Sequence, residues 1–262
     1  MKVLIVQTAF IGDVTLAEPL IEAVNCKYPG AEISFLTIPY SAPILRNHPR
    51  LKEVIILKKR GIGRRRSFRK TLRKLRHEQF DLALVPHRSL RSALLVFLTG
   101  IPRRIGFDRS AGKWLFNEIV KYGPDIHEVE RNLSLLGMED MKITPKIYPG
   151  EAEFERVDGL LKGWSLTEGF TAIAPGSIWN TKRWPVKYYH ELIGMMKERI
   201  YPPVVLIGAP GEKNLCEEAA EGYDGYAFTA AGELNPLESG ALLHKAAFLI
   251  ANDSAAGHIA AA

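Results

Sequence analysis

The chain has 262 residues, 47% of them apolar and 24% charged, with 22 Gly and 16 Pro. These proportions exclude a disordered, collagenous or fibrous chain, and the length suits one large domain or two of about 130 residues. No apolar run reaches the roughly 18 to 20 residues that span a bilayer. The opening MKVLIVQTAF does not read as a signal peptide, because it runs straight from a short apolar stretch into a helical pattern. Cys26 and Cys216 are the only cysteines and stand far apart, which leaves no disulfide framework and no zinc spacing. A reduced, cytoplasmic protein is the expectation.

The net charge of +6 is a local feature. Eleven Lys and Arg fall within the 19 residues from Lys58 to Arg76, followed only by Glu78 and Asp81, and the rest of the chain is mildly acidic.

In chain order, residues 2–6, 32–38, 53–57 and 82–86 are short β-branched runs that are mostly apolar, as in a parallel sheet covered on both faces. Helical spacing predicts one helix over 14–27, stopped by Pro29-Gly30, a short one over 39–47, and longer ones over 67–77 and 89–98. A fifth strand is predicted at 104–107 and a closing helix at 127–138. Pro145, Pro149 and Gly150 mark a linker, after which the alternation restarts. It predicts helices over 151–164, 186–199, 212–221 and 236–245, and strands over 171–174, 204–208, 226–228 and 248–251. The βαβα order in both halves predicts two doubly wound α/β domains, 1–148 and 149–262, with a cleft between them.

Ligands of such sheets bind at the carboxyl ends of the strands, so the loops there are the candidate sites. The first is Gln7-Thr8-Ala9-Phe10-Ile11-Gly12-Asp13, where Gly12 permits a tight turn and Asp13 begins a helix. Asp13 is either a simple helix cap or a general base held ionised by the helix dipole. The second is the run from Ala174 to Pro185, where Ser177, Asn180, Thr181, Lys182 and Arg183 gather before a helix. A helix N-terminus beside a Lys suits a phosphate; the plainer reading is a solvated loop with Trp184 packed on the sheet. In Gly208-Ala209-Pro210-Gly211-Glu212-Lys213 the phosphate-loop pattern fails, and Glu212 is placed either to meet a ribose or to favour a helix start. In Asn252-Asp253-Ser254-Ala255-Ala256-Gly257-His258, Asp253 and Ser254 are candidate caps and His258 lies about one turn on.

Three of these motifs occur together and in order: G-D-V-x-L-A-x-P-L-I, P-G-S-x-W-x-T-K-R-W-P and N-D-S-x-x-x-H-I-A-A-A. In that combination the chain resembles the lipopolysaccharide heptosyltransferases of glycosyltransferase family 9, the heptosyltransferase II type among them. The resemblance implies a GT-B glycosyltransferase with two Rossmann-like domains, the first for the acceptor and the second for the nucleotide sugar. It implies transfer of L-glycero-D-manno-heptose from ADP-heptose to the inner core on lipid A, with inversion and without a metal or other cofactor. Carried over by motif, it makes Asp13 the base and Lys182 a ligand of the donor diphosphate. It sets Glu212 at the ribose and Asp253 at heptose hydroxyls, with Thr8, Gly12, Thr181, Ser254 and His258 close by. The chemistry agrees, since an inverting transfer needs a carboxylate for the acceptor proton and positive groups for the departing ADP.

Two departures stand out: Ala255 replaces a Gly common after D-S, and Gly257 replaces a bulkier residue before the His. A positive φ at 255, or a close approach of the backbone there to the sugar, would make Ala costly. The sequence also stops at Ala260-Ala261-Ala262, where the family continues. This leads to the expectation of an incomplete second domain in which strand 248–251 lies beside the domain's first strand and has an open edge. The basic stretch has a nucleic-acid reading, weakened by sparse aromatics, a reading as a helix lying on an anionic membrane or on phosphorylated lipid A, and the plain reading of a solvated surface helix. The resemblance favours the membrane: a lipid-linked anionic acceptor, peripheral attachment at the inner face of the inner membrane, and no nucleic acid. A glycosyltransferase with a different nucleotide-sugar donor, or a non-catalytic nucleotide-binding homologue, are the alternative functions.

Overall fold

The computed structural model describes residues 1–166 and 169–262 and divides into two compact units, Met1–Lys146 and Ile147–Ala262. Each is a parallel sheet between helices.

The first unit runs β1 (Lys2–Val6), α1 (Ile11–Ala17), α2 (Pro19–Lys27), β2 (Glu32–Thr37), β3 (Leu51–Ile56), α3 (Arg64–Glu78), β4 (Leu82–Val85), α4 (Leu90–Thr99), β5 (Arg103–Phe107), β6 (Glu118–Val120) and α5 (Glu128–Ser134). Its sheet has the order β3-β2-β1-β4-β5-β6 with every pair parallel. Val3–Val6 and Leu82–Val85 are buried on both faces, which is why these strands are uninterrupted apolar runs. Leu4, Val6, Ala83 and Val85 pack against Leu75 of α3 and Ala93 and Val96 of α4 in one core cluster, and α1 and α2 pack on α5.

The second unit runs α6 (Glu151–Gly163), β7 (Thr171–Ala174), α7 (Val186–Glu198), β8 (Val204–Leu206), α8 (Lys213–Ala220), β9 (Ala227–Thr229), α9 (Pro236–Lys245), β10 (Phe248–Ala251) and α10 (Ala255–Ala260). The sheet order is β10-β7-β8-β9, again all parallel. Strand 248–251 therefore lies beside the unit's first strand as expected. Among the described residues it has no second neighbour, and Phe248 is exposed there.

Both sheets step outward from their first strand and then reverse, at β1/β4 in one unit and β7/β10 in the other. The loops leaving these strand pairs diverge, and the crevice so formed is where doubly wound sheets bind ligands.

Three predicted elements differ. The single helix over 14–27 begins earlier, at Ile11, and breaks between Glu18 and Pro19, because Pro19 has no N–H to continue the ladder. The buried Glu18 at this break lies 2.8 Å from His48 Nε2 through Oε1 and accepts the Lys146 amide at 2.8 Å through Oε2. The short helix over 39–47 is one 3-10 turn, Ala42–Leu45. β6 was not predicted: it is three residues long and only partly buried at a sheet edge, so it has neither length nor periodicity to read.

Candidate active site

In the first unit the chain leaves β1 through Gln7–Phe10 and enters α1. Asp13 is the third helical residue, not the cap: Phe10 holds the cap position, and the Asp13 carboxylate reaches back to accept its amide at 3.1 Å. Gly12 likewise lies within the first turn of α1 and makes no tight turn of its own. Glu128, at the start of α5, stands within electrostatic reach of Asp13. Burial pushes the Glu128 carboxyl up; its ion-pair partner Arg131 pulls it down, and the Asp13 charge raises it again. The Arg131 guanidinium is itself buried and donates to the carbonyls of Gly123, Pro124 and Ile126.

Thr8 is buried at the centre of a polar network. Its Oγ1 lies 2.9 Å from His87 Nδ1 and 3.1 Å from Ser92 Oγ, and His87 Nδ1 is 2.9 Å from Ser92 Oγ. Lys59 donates to Thr8 O at 3.1 Å and to Thr8 Oγ1 at 3.2 Å, while Arg91 donates to Lys59 O at 2.8 Å. Burial pushes His87 down to about 4, with the charges of Lys59 and Arg88 adding to it, so this imidazole is neutral at pH 7. Burial also lowers Lys59, reinforced by Arg91 and Arg60. The network joins the loops after β1, β3 and β4 at the strand pair where the sheet order reverses, and it fixes the backbone five residues before Asp13. Lys59, His87, Ser92 and Glu128 come from segments separated by dozens of residues, and no local motif points to them.

Tyr122 follows β6, and its ring has the guanidinium of Arg131 at 4.4 Å, Arg88 at 4.5 Å and Arg109 at 5.5 Å. The Arg88 charge also reaches the Glu128 carboxylate, and Arg109 forms no ion pair among the described residues. This end of the sheet thus gathers the carboxylates of Asp13 and Glu128 with the cations of Arg88, Arg109 and Arg131.

In the second unit three loops converge. Asn252, after β10, donates to Pro175 O at 2.7 Å and accepts the Trp184 amide at 3.0 Å, so its side chain joins both ends of the loop after β7. The 3-10 turn Asn180–Lys182 carries Lys182 to an ion pair with Asp253. The hydrogen bond and charge of Lys182 hold the Asp253 carboxyl below its ordinary range, and His258 adds a weaker pull. Arg183 Nε donates to Ser177 O at 2.6 Å. From the loop after β8, the Glu212 carboxylate accepts the Ala209 amide at 2.8 Å and rests against Gly176, where a Cβ would collide with it. Its charge and that of Glu217 join burial in pushing the Cys216 thiol up to about 12, burial being the largest cause.

The structure brings Lys182, Asp253 and Glu212 around the same segment, 175–177, with His258 in electrostatic reach. Thr181 is exposed in the 3-10 turn. Ser254 occupies the cap position of α10 without a side-chain cap bond, and Asp253 is drawn to Lys182, so neither caps the helix as expected. Ala255 has no positive φ, and the strain expected from replacing Gly there does not arise. Trp184 does not pack under the sheet: it is partly exposed, stacks on Tyr188 at 5.5 Å and meets Tyr189 edge-on at 5.0 Å. Asn252 belongs to the recognised N-D-S motif, but its clamping role depends on β10 lying beside β7.

The family model for glycosyltransferase family 9 (heptosyltransferase) matches residues 68–262. The chain belongs to this family. It is a glycosyltransferase, and the doubly wound units are those of the GT-B class. Lipopolysaccharide heptosyltransferase 2 of Escherichia coli K12 is 27% identical over 285 residues, covering 100% of this chain and 80% of that protein. Lipopolysaccharide heptosyltransferase 3 of the same strain is 28% identical over 266 residues, 96% of this chain and 76% of its own length. The solved structure of E. coli ADP-heptose lps heptosyltransferase II superposes with a TM-score of 0.86 at 25% identity, covering 99% of this chain and 81% of that one.

Proposed function

We propose that this glycosyltransferase moves L-glycero-D-manno-heptose from ADP-heptose to the lipid A-linked inner core of lipopolysaccharide, inverting the anomeric centre. The observation that carries this reading is the convergence of Lys182, Asp253 and Glu212 on the segment 175–177, at the strand ends where the second sheet reverses. A diphosphate meeting Lys182 competes with Asp253 for the ammonium. Once Lys182 turns to phosphate, the Asp253 carboxylate is free to accept from sugar hydroxyls, and Glu212 sits where ribose hydroxyls would donate. Asp13 takes the proton of the acceptor hydroxyl as its oxygen bonds to the anomeric carbon. The bond from that carbon to the ADP oxygen breaks with its electron pair leaving on the diphosphate. Lys182 offsets the charge gained by the leaving group, without a metal or other cofactor. A carboxylate is a weak base by its reference value, so proton transfer to Asp13 falls late, when the glycosidic bond is largely broken.

The acceptor is lipid-linked, and the enzyme works at the cytoplasmic face of the inner membrane, with the basic segment that includes α3 turned to anionic headgroups. No helix among the described residues is long and apolar enough to cross a membrane. Calorimetry with ADP and UDP, followed by transfer assays with ADP-heptose and a heptose-deficient core acceptor, tests the proposal. ADP is expected to bind more tightly, and heptosylated product to accumulate. A preference for UDP would point to another donor; ADP binding without product would point to a non-catalytic homologue.

A further inference from the structure

The outer side of the α3–α4 layer in the first unit carries two features that the transfer chemistry does not use. The first is apolar. α4 buries Ser92, Ala93, Leu95 and Val96 and leaves Leu90, Leu94 and Phe97 exposed at 46%, 40% and 46%, one stripe at i, i+4 and i+7. The 3-10 turn Lys113–Leu115 packs against α4, with Gly112 close to Leu90 and Ala93, and leaves the Trp114 indole 69% exposed.

The second feature is charge. α3 packs along α4, and Arg76 Nε donates to Leu98 O at 2.9 Å. Arg69 and Arg73 share the helical face of Arg76 and so run beside the apolar stripe. Among the described residues neither has a carboxylate partner. Arg64, Arg65 and Arg66 fill the first turn of α3, where cations oppose the helix dipole, and no side chain caps that end. An arrangement unfavourable to the free helix is offset when anions approach it.

We propose that the α3–α4 face docks on a bilayer leaflet bearing anionic headgroups, with Leu94, Phe97 and Trp114 entering the headgroup–acyl boundary and Arg69 and Arg73 meeting phosphates. A soluble polyanion would satisfy the arginines and leave the stripe in water. A second copy meeting this face about a twofold axis would set one unpaired cationic helix against another. A leaflet satisfies both features at once, and an indole beside basic residues suits its interfacial zone. The inference rests on the lipid-linked acceptor for its purpose, but docking is measured without any turnover.

The test is co-sedimentation of the full chain with phosphatidylcholine vesicles, with and without phosphatidylglycerol, at low and high salt. Binding is expected only where phosphatidylglycerol is present. Replacing Leu94→Gln and Phe97→Gln together should weaken it roughly five- to tenfold at either salt concentration. Arg69→Gln with Arg73→Gln should weaken it about fivefold per charge at low salt, and less at high salt, where the Debye length falls from about 10 Å to about 3 Å. Trp114→Phe should remove a blue shift in tryptophan emission that anionic vesicles induce, a readout that needs no change in α4. Transfer to a delipidated acceptor should be unaltered by the α4 pair, so loss of docking and loss of the glycosyl-transfer reading are separate results. Vesicle binding indifferent to Leu94 and Phe97, or equal in strength to heparin binding, would reduce the face to a polyanion surface and overturn the proposal. Concentration-dependent dimerisation abolished by the α4 pair would overturn it too.

Discussion

The two strand-end clusters are built in opposite ways. In the second unit, contiguous motifs carry nearly every group, and short side-chain-to-backbone bonds, above all those of Asn252, fold each motif onto the next. In the first unit one motif carries Asp13, and a buried hydroxyl–imidazole–ammonium network from two distant segments holds Thr8 of that same motif. On the proposed function the second cluster holds a nucleotide, and local motifs suffice for that because one loop shaped around a phosphate does most of the binding. In the same proposal Asp13 meets the acceptor, and the helix start that carries it sets its position.

On the proposed function, this contrast is expected to make changes in the first unit act on rate and changes in the second on affinity. Asp13→Asn should leave ADP binding and the melting temperature nearly unchanged and lower kcat by about two to four orders of magnitude, or roughly 3 to 5 kcal/mol of barrier. Steady-state kinetics beside calorimetry separate the two effects. Turnover near the parent value would remove Asp13 from the chemistry and leave Glu128 as the next carboxylate to examine.

The next largest effect concerns the network. His87 is held at about 4 in the folded chain against an ordinary value near 6.5. The unfolded chain therefore binds a proton first as pH falls. The stability contributed by neutral His87 is complete above about pH 6.5 and is lost on acidification toward pH 4, by up to about 3 kcal/mol before solvent screening reduces it. Urea unfolding of the parent and of His87→Asn between these limits should show a steeper acid loss for the parent. Parallel curves would mean that His87 is solvated and the network loose.

Legibility followed the same division. Strands 171–174 and 248–251 and the helix 236–245 match the structure residue for residue, because apolar runs bounded by Gly, Pro or an Asn cap leave little freedom. Lys182, Glu212 and Asp253 were legible because their motifs occupy strand ends, where chain order alone predicts convergence. Lys59 was hidden among ten other cations, and nothing local separates the one amine that turns inward to Thr8. His87 and Ser92 were hidden because their partner is 79 and 84 residues away. The helix break at Glu18 was missed although Pro19 was visible, since the surrounding apolar spacing continues through it.

Lys182 offers a test of the second unit. Lys182→Ala should weaken ADP and ADP-heptose binding by roughly 1.5 to 3 kcal/mol and adenosine binding much less, since one charged hydrogen bond to phosphate is lost. The same change releases Asp253 from its ion pair, so the Asp253 carboxyl should titrate closer to its ordinary range, as NMR of the labelled carboxylate would show. Equal losses for adenosine and ADP would mean that the 3-10 turn itself had been disturbed.

The smallest expected effect bears on Ala255, where the family resemblance leads to the expectation of Gly. The residue opens α10 with no positive φ, so its Cβ carries no conformational cost in this chain. Ala255→Gly then removes helix propensity and gains nothing sterically, and the expected result is a loss of about 0.5 to 1 kcal/mol, or less at so terminal a position. Denaturant midpoints should shift down slightly, with ADP and ADP-heptose affinities unchanged. A gain in ADP-heptose affinity without a gain for ADP would give another answer: the sugar approaches the backbone at 255 closely enough to feel the methyl group. The loop after β10 would then be a specificity element in addition to the carrier of Asp253, and the division between a rate-setting first unit and an affinity-setting second one would no longer be clean.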